Sequence, residues 1–237
     1  MIALKGMTWD HPRGFDPMVA TSESFKKKHN NFISIAWDKR PLQAFADRPI
    51  EQMTEDYDLI VIDYPHLGEV AANGLLDYFD KPQYLDQLSK LKKESVGNSH
   101  QSYFVDDHQW ALAIDAATQV SVFRKDLINF LPSSWNELVE LAKNNKILWP
   151  LKPIHAISSF YSICNNIDKP FNPDLKEFIN KKTTIRTLMM MKEIVKYLPN
   201  ECLQMDSIQA CEYMAENNDI FYCPYIYGFS NYSRYGF

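Results

Sequence analysis

The chain has 237 residues, 46% of them hydrophobic and 23% charged, which is enough for one large or two small globular domains and too apolar for a disordered polypeptide. Its net charge of −5 comes with no domain-wide basic stripe, which argues against a nucleic-acid binder. None of its 7 glycines forms a GxGxxG or a P-loop. No run of about 18 apolar residues could span a membrane, and no basic segment followed by an apolar stretch opens the chain.

In chain order, Met1 to Trp9 reads as a first strand. Trp9, Asp10, His11 and Arg13 then crowd into a short polar loop, and Asp16-Pro17 supplies an N-cap followed by proline at a first helical position. The helix is expected from Pro17 to His29, with the cations Lys26 to Lys28 in its last turn, where the helix dipole favours them. Phe32 to Trp37 alternates as a second strand, Asp38-Lys39-Arg40 forms its loop, and Pro41 opens a helix. Pro49 starts a short helix towards Asp56. Asp58 to Asp63 is a β-branched run, the pattern of a strand buried on both faces. Right-handed crossovers would make these strands parallel, so that Trp9-Asp10-His11, Asp38-Lys39 and Asp63-Tyr64-Pro65-His66 share the carboxyl edge where ligands bind.

His66 to Asn73 reads as a helix stopped by Gly74, and Pro82 to Lys93 as another. Asp106-Asp107-His108 turns a hairpin between Tyr103–Val105 and Gln109–Ile114. From Asp115 to Phe123 an extended segment crosses from one lobe to the next. Ser134 with Glu137 makes a capping box for the following helix. The rest is mainly helical: His155 to Asn165, Thr184 to Tyr197 and Ile208 to Glu216, then a strand from Ile220 to Tyr227 and the aromatic tail Phe229, Tyr232 and Tyr235. The run Met189 to Met191 is core filler rather than a metal site. Cys164, Cys202, Cys211 and Cys223 contain no CxxC, so no structural zinc is expected and buried free thiols are the default.

The crossing strand Asp115-Ala-Ala-Thr-Gln-Val, the run Phe123-Arg-Lys-Asp-Leu127 and the helix start Pro132-Ser-Ser-Trp-Asn-Glu-Leu138 resemble the family 1 extracellular solute-binding proteins of ABC transporters. Phe123 stands where that family has tyrosine and Ser134 where it has threonine; the segment from Thr8 to Gly14 resembles one subgroup. The resemblance implies an α/β, two-lobe fold of the type II periplasmic-binding-protein kind. Lobe 1 (1–114) would carry a mostly parallel sheet, a crossing strand (115–123) would lead to a helix-rich lobe 2 (124–222), and a return segment (223–237) would follow. Family chains are usually longer, so the fold is expected to be incomplete at the C-terminus. The resemblance also implies a small polar solute, sugar-like or another polar organic molecule, held between the lobes for delivery to ABC transporter permease subunits. A monomer is expected, extracytoplasmic if a signal was removed and cytoplasmic if the chain as given is the native start.

Such a solute needs a few well-placed polar groups and aromatic faces. The candidates in the first lobe are Trp9, His11, Arg13, Asp38, Asp63 and His66, followed at the crossing by Asp115, Thr118 and Gln119. His155, Ser158, Tyr225 and Tyr227 are the candidates beyond it. No cofactor or metal is expected. The alternatives are an intracellular ligand-sensing module of the same fold, or an enzyme using His11 and an aspartate as acid and base, although no GxSxG or HExxH accompanies them.

Overall fold

The computed structural model describes residues 1–41, 49–168, 179–229 and 232. The chain divides into two compact units, Met1–Ala116 and Ala117–Phe237.

In unit 1, β1 (Ile2–Trp9) pairs with β2 (Ile33–Arg40) and with β3 (Leu59–Ile60), giving a parallel sheet of order β2-β1-β3. The parallel pairing is as expected from the alternation of strand and helix. Three of the boundaries that differ from expectation lie in or beside this sheet. First, β2 runs on through Asp38, Lys39 and Arg40, because β1 offers a continuous ladder as far as Trp9↔Arg40. Asp38 is therefore a strand residue and does not sit in a strand-end loop. Second, β3 is shorter and only half-buried, although the bonds Asp58 N–H to Lys5 O and Val61 N–H to Met7 O extend its pairing on both sides. Third, α1 spans Pro12–Lys28 rather than starting at Pro17. Pro12 takes a first-turn place where no N–H is needed, and the imidazole of His11 accepts from Arg13 N–H. Pro17 then lies inside the helix. The basic last turn is as expected.

The helix expected to open at Pro41 falls on residues 42–48, outside the described residues. After it come α2 (Ile50–Asp56), a 3₁₀ turn (Tyr64–His66), α3 (Leu67–Asn73) and α4 (Leu85–Glu94). Gly74 stops α3 at φ 59°, a left-handed conformation that suits glycine. The hairpin β4 (Phe104–Val105) and β5 (His108–Gln109) turns through Asp106 and Asp107, both at positive φ. Met7, Ile50, Met53, Leu67, Val70 and Trp110 make the core of this unit.

Unit 2 contains β6 (Gln119–Phe123), α5 (Trp135–Lys143), α6 (Pro153–Ile167), α7 (Lys181–Val195), α8 (Ser207–Glu216) and β7 (Tyr222–Tyr227). Ser134 caps α5 by accepting from Glu137 N–H, and the Glu137 carboxylate accepts from the Ser133 N–H and hydroxyl. β6 and β7 are antiparallel, with a register shift between Val120 and Val122. Opposite that shift lies Pro224, which has no N–H to give to a ladder. The bulge resets the alternation of β7. Tyr222 and Tyr225 pack into one core with Trp149, whereas Cys223 and Ile226 pack into another with Cys202 and Cys211. All four cysteines are free and buried. No helix among the described residues is long and apolar enough to cross a membrane.

The first turn of α1 lies tight against the end of β1. A Cβ at Gly14 would overlap the Trp9 indole, and the Thr8 hydroxyl donates to Gly14 O at 3.3 Å. Gly14→Ala should therefore destabilise unit 1 by about 1–3 kcal/mol through overpacking, even though alanine is the better helix former. Urea denaturation measures this, and an unshifted midpoint would show that the indole gives way freely.

Candidate functional site

The sheet order fixes where the polar groups of unit 1 collect. β1 lies between its partners, so the segments after β1 and β3 leave the sheet side by side at its carboxyl edge. The first segment carries Trp9, His11 and Arg13; the second carries Asp63, Tyr64 and His66. The Arg13 guanidinium lies 5.9 Å from the Trp9 ring, and its Nε is 2.6 Å from Asp115 Oδ2. The ion pair is about one-quarter exposed on each side, at 23% and 30%. Asp115 is thereby drawn to the β1–α1 corner, with Ala116 the last residue of the unit.

Trp9 is buried, with Gly14 against its ring and Arg13 over it. His11 accepts through Nδ1 as the helix cap, which leaves the proton of the neutral ring on Nε2. Burial, reinforced by Arg13, lowers its pKa, while Asp10 and Asp16 oppose the shift. The carboxylate Asp10 pairs with Lys39 at 2.7 Å. Asp63 is open to solvent on one side; the protein packed on the other lifts its carboxyl above the usual range, with His66 and Arg13 opposing. Tyr103, a residue with no motif to mark it, completes the group. Its ring meets Tyr64 edge-on at 6.2 Å, and burial, then Asp63 and Asp115, hold its phenol protonated above the usual range. Asp38 stands apart, accepting from the Tyr57 hydroxyl at 3.0 Å.

Unit 2 holds a second polar group on α6 and the β6–β7 pair. The buried Ser159 hydroxyl accepts from Trp149 Nε1 at 3.0 Å and from Gln119 Nε2 at 3.1 Å. Ser162 donates to Gln119 Oε1 at 2.9 Å, and Tyr227 donates to Ser158 Oγ at 3.0 Å. Ser207 Oγ accepts from Tyr227 N–H and lies 3.3 Å from His155 Nδ1. Gln119, His155, Ser158 and Tyr227 thus meet in one network. Tyr225 instead packs against Trp149, ring to ring at 5.6 Å. Thr118 is exposed and precedes β6. Ser159 and Ser162 were not anticipated, although their spacing from His155 along one helix face carried the signal. Among the described residues no group of three or more His, Cys, Asp or Glu could hold a metal ion.

Ser159→Ala leaves two donors unpaired, one of them fully buried, and is expected to cost about 1–3 kcal/mol. Ser162→Ala, which removes part-buried bonds to Gln119 Oε1 and Ser158 O but leaves no donor unpaired, should cost less in the same urea titration. His155 gives a pH dependence. Burial is the main cause that lowers its pKa below the ordinary value of 6.5, with Lys152 adding to the shift and Asp206 opposing it. The unfolded chain therefore binds the proton more readily. The stability this group contributes is present above that ordinary value and is lost as pH falls towards the folded pKa. His155→Gln should flatten that part of the stability–pH curve.

No family model matches the chain, and no curated protein does. Solved structures match nearly its whole length. A periplasmic solute-binding protein of Pectobacterium atrosepticum superposes with a TM-score of 0.73 at 14% identity, over 98% of this chain and 62% of that one. An ABC transporter solute-binding protein of Agrobacterium radiobacter K84, in complex with ribitol, gives 0.70 at 18%, over 95% and 60%. A substrate-binding protein of Listeria monocytogenes in complex with cycloalternan gives 0.69 at 18%, over 94% and 60%. The chain spans about three-fifths of the length of these proteins. The chain carries the α/β fold of ABC-transporter solute-binding proteins.

Proposed function

We propose that this chain binds a small polyhydroxy solute, a sugar or a polyol, as the receptor of an ABC importer on the extracytoplasmic side of the membrane. One observation carries the reading: the carboxyl edge of the parallel sheet gathers Arg13, Asp63, His66, Tyr64 and Tyr103 beside Asp115. Carboxylates accept from solute hydroxyls, Arg13 donates to ring or hydroxyl oxygens, and the exposed Tyr64 ring offers an apolar face. The proteins of similar fold were solved with ribitol, D-mannitol, maltose and cycloalternan, all polyhydroxy molecules. The partners are then the solute and the permease subunits that receive it. The edge holds and orients the solute and leaves it unaltered.

A thermal-shift screen tests this. Ribitol, D-mannitol, maltose and maltotriose are the first probes, each at millimolar concentration. A true ligand at a hundredfold excess over its Kd adds about 2.7 kcal/mol to stability and is recovered unchanged. Arg13→Ala should abolish that gain while the unliganded protein still melts cooperatively. A flat response to every sugar and polyol would overturn the reading.

A further inference from the structure

The carboxylates near the carboxyl edge of unit 1 are not equivalent. Asp10 is paired with Lys39, Asp38 holds the Tyr57 hydroxyl, and Asp115 is paired with Arg13. Asp63 differs. Among the described residues its side chain takes no hydrogen bond and no ion pair, and it does not cap the 3₁₀ turn that it precedes. Two cations nearby are paired, Arg13 with Asp115 and Lys39 with Asp10. His11 spends Nδ1 on the helix cap. The groups that bear on Asp63 are His66 on its own segment, Arg13 on α1 and Tyr103 before the hairpin. The Tyr103 phenol, held protonated, is a donor. Among the described residues, the carboxylate left with open acceptor capacity at this edge is therefore Asp63, with only His66 and the Asp115-paired Arg13 acting on its charge.

We infer that Asp63 is the specificity-determining residue of the strand-end site, admitting uncharged polyhydroxy solutes, turning away anionic ones, and making binding acid-sensitive. The inference rests on the solute-binding reading above. As a carboxylate Asp63 accepts two donated hydrogen bonds from adjacent hydroxyls of a neutral solute, stronger than those to a neutral acceptor. A uronate or a sugar phosphate brings a second negative charge beside Asp63, where the guanidinium of Arg13 is already paired with Asp115, and like charges there repel. Protonation removes the acceptor. Because the protein around Asp63 lifts its carboxyl, that loss begins at milder acidity than for a free carboxylate.

Titration calorimetry on the full chain reads this. The probes are D-mannitol and maltose against D-glucuronate and sorbitol 6-phosphate. The neutral solutes should bind at least about tenfold more tightly than the anionic ones at neutral pH, and their affinity should fall as pH drops towards about 4. Asp63→Asn should weaken neutral binding, abolish its pH dependence and narrow the gap to the anions. Its melting curve verifies that the variant is folded. Equal affinity for the anionic probes, or a pH dependence that survives in Asp63→Asn, would overturn the assignment while leaving solute binding intact. If no probe binds the wild-type chain, the solute-binding reading falls and this inference falls with it.

Discussion

The polar corner of unit 1 depends on one steric constraint, the seating of the Trp9 indole against the backbone at Gly14. A side chain at residue 14 would push the first turn of α1 off the end of β1. With glycine there, the chain reverses between strand and helix within Asp10 and His11, and Arg13 leaves the first turn beside Trp9 and Asp115. The helix cap falls to His11 for the same reason, since the turn is too short for Asp16 to serve. Packing of this kind holds better than a surface ion pair, which on its own contributes little. The Arg13–Asp115 contact is thus placed by the corner rather than placing it.

Unit 2 is organised around a different constraint, the satisfaction of buried donors. Trp149 is fully buried, and its indole N–H needs an acceptor. Ser159, itself fully buried, supplies one and also takes Gln119 from β6, so a single hydroxyl joins α6, the Trp149 segment and the β6–β7 pair. Ser162 and Ser158 continue the arrangement to Tyr227. The side chains are held in place by each other, which is what a preorganised polar surface requires.

Much of this was legible in the sequence. The alternation of apolar runs with proline-opened helices gave the parallel sheet, and the crowding of Trp9, His11 and Arg13 marked the corner. Boundaries were harder to read, because they depend on partners far along the chain. Asp38 looks like a loop residue until β1 is known to run to Trp9 and to hold it in a ladder. Pro17 looks like a helix start until the indole contact is seen to pull the helix back to Pro12. Tyr103 carries no local pattern at all; its meeting with Tyr64 follows from tertiary packing alone. Ser159 was hidden for a simpler reason: a helix face read only for its apolar residues conceals the hydroxyls between them.

The irregularity at Pro224 has a consequence for how the molecule behaves in company. A regular two-stranded ribbon would present backbone donors and acceptors in an orderly row, a template on which another chain could add. Here β7 has a proline in mid-strand and a bend opposite Ser121, and the Ile147–Leu148 segment bridges to Tyr222 on the same strand. A strand approaching from outside would find its ladder interrupted at Pro224, which has no N–H to offer. Pro224 thereby also guards the ribbon against edge-to-edge aggregation.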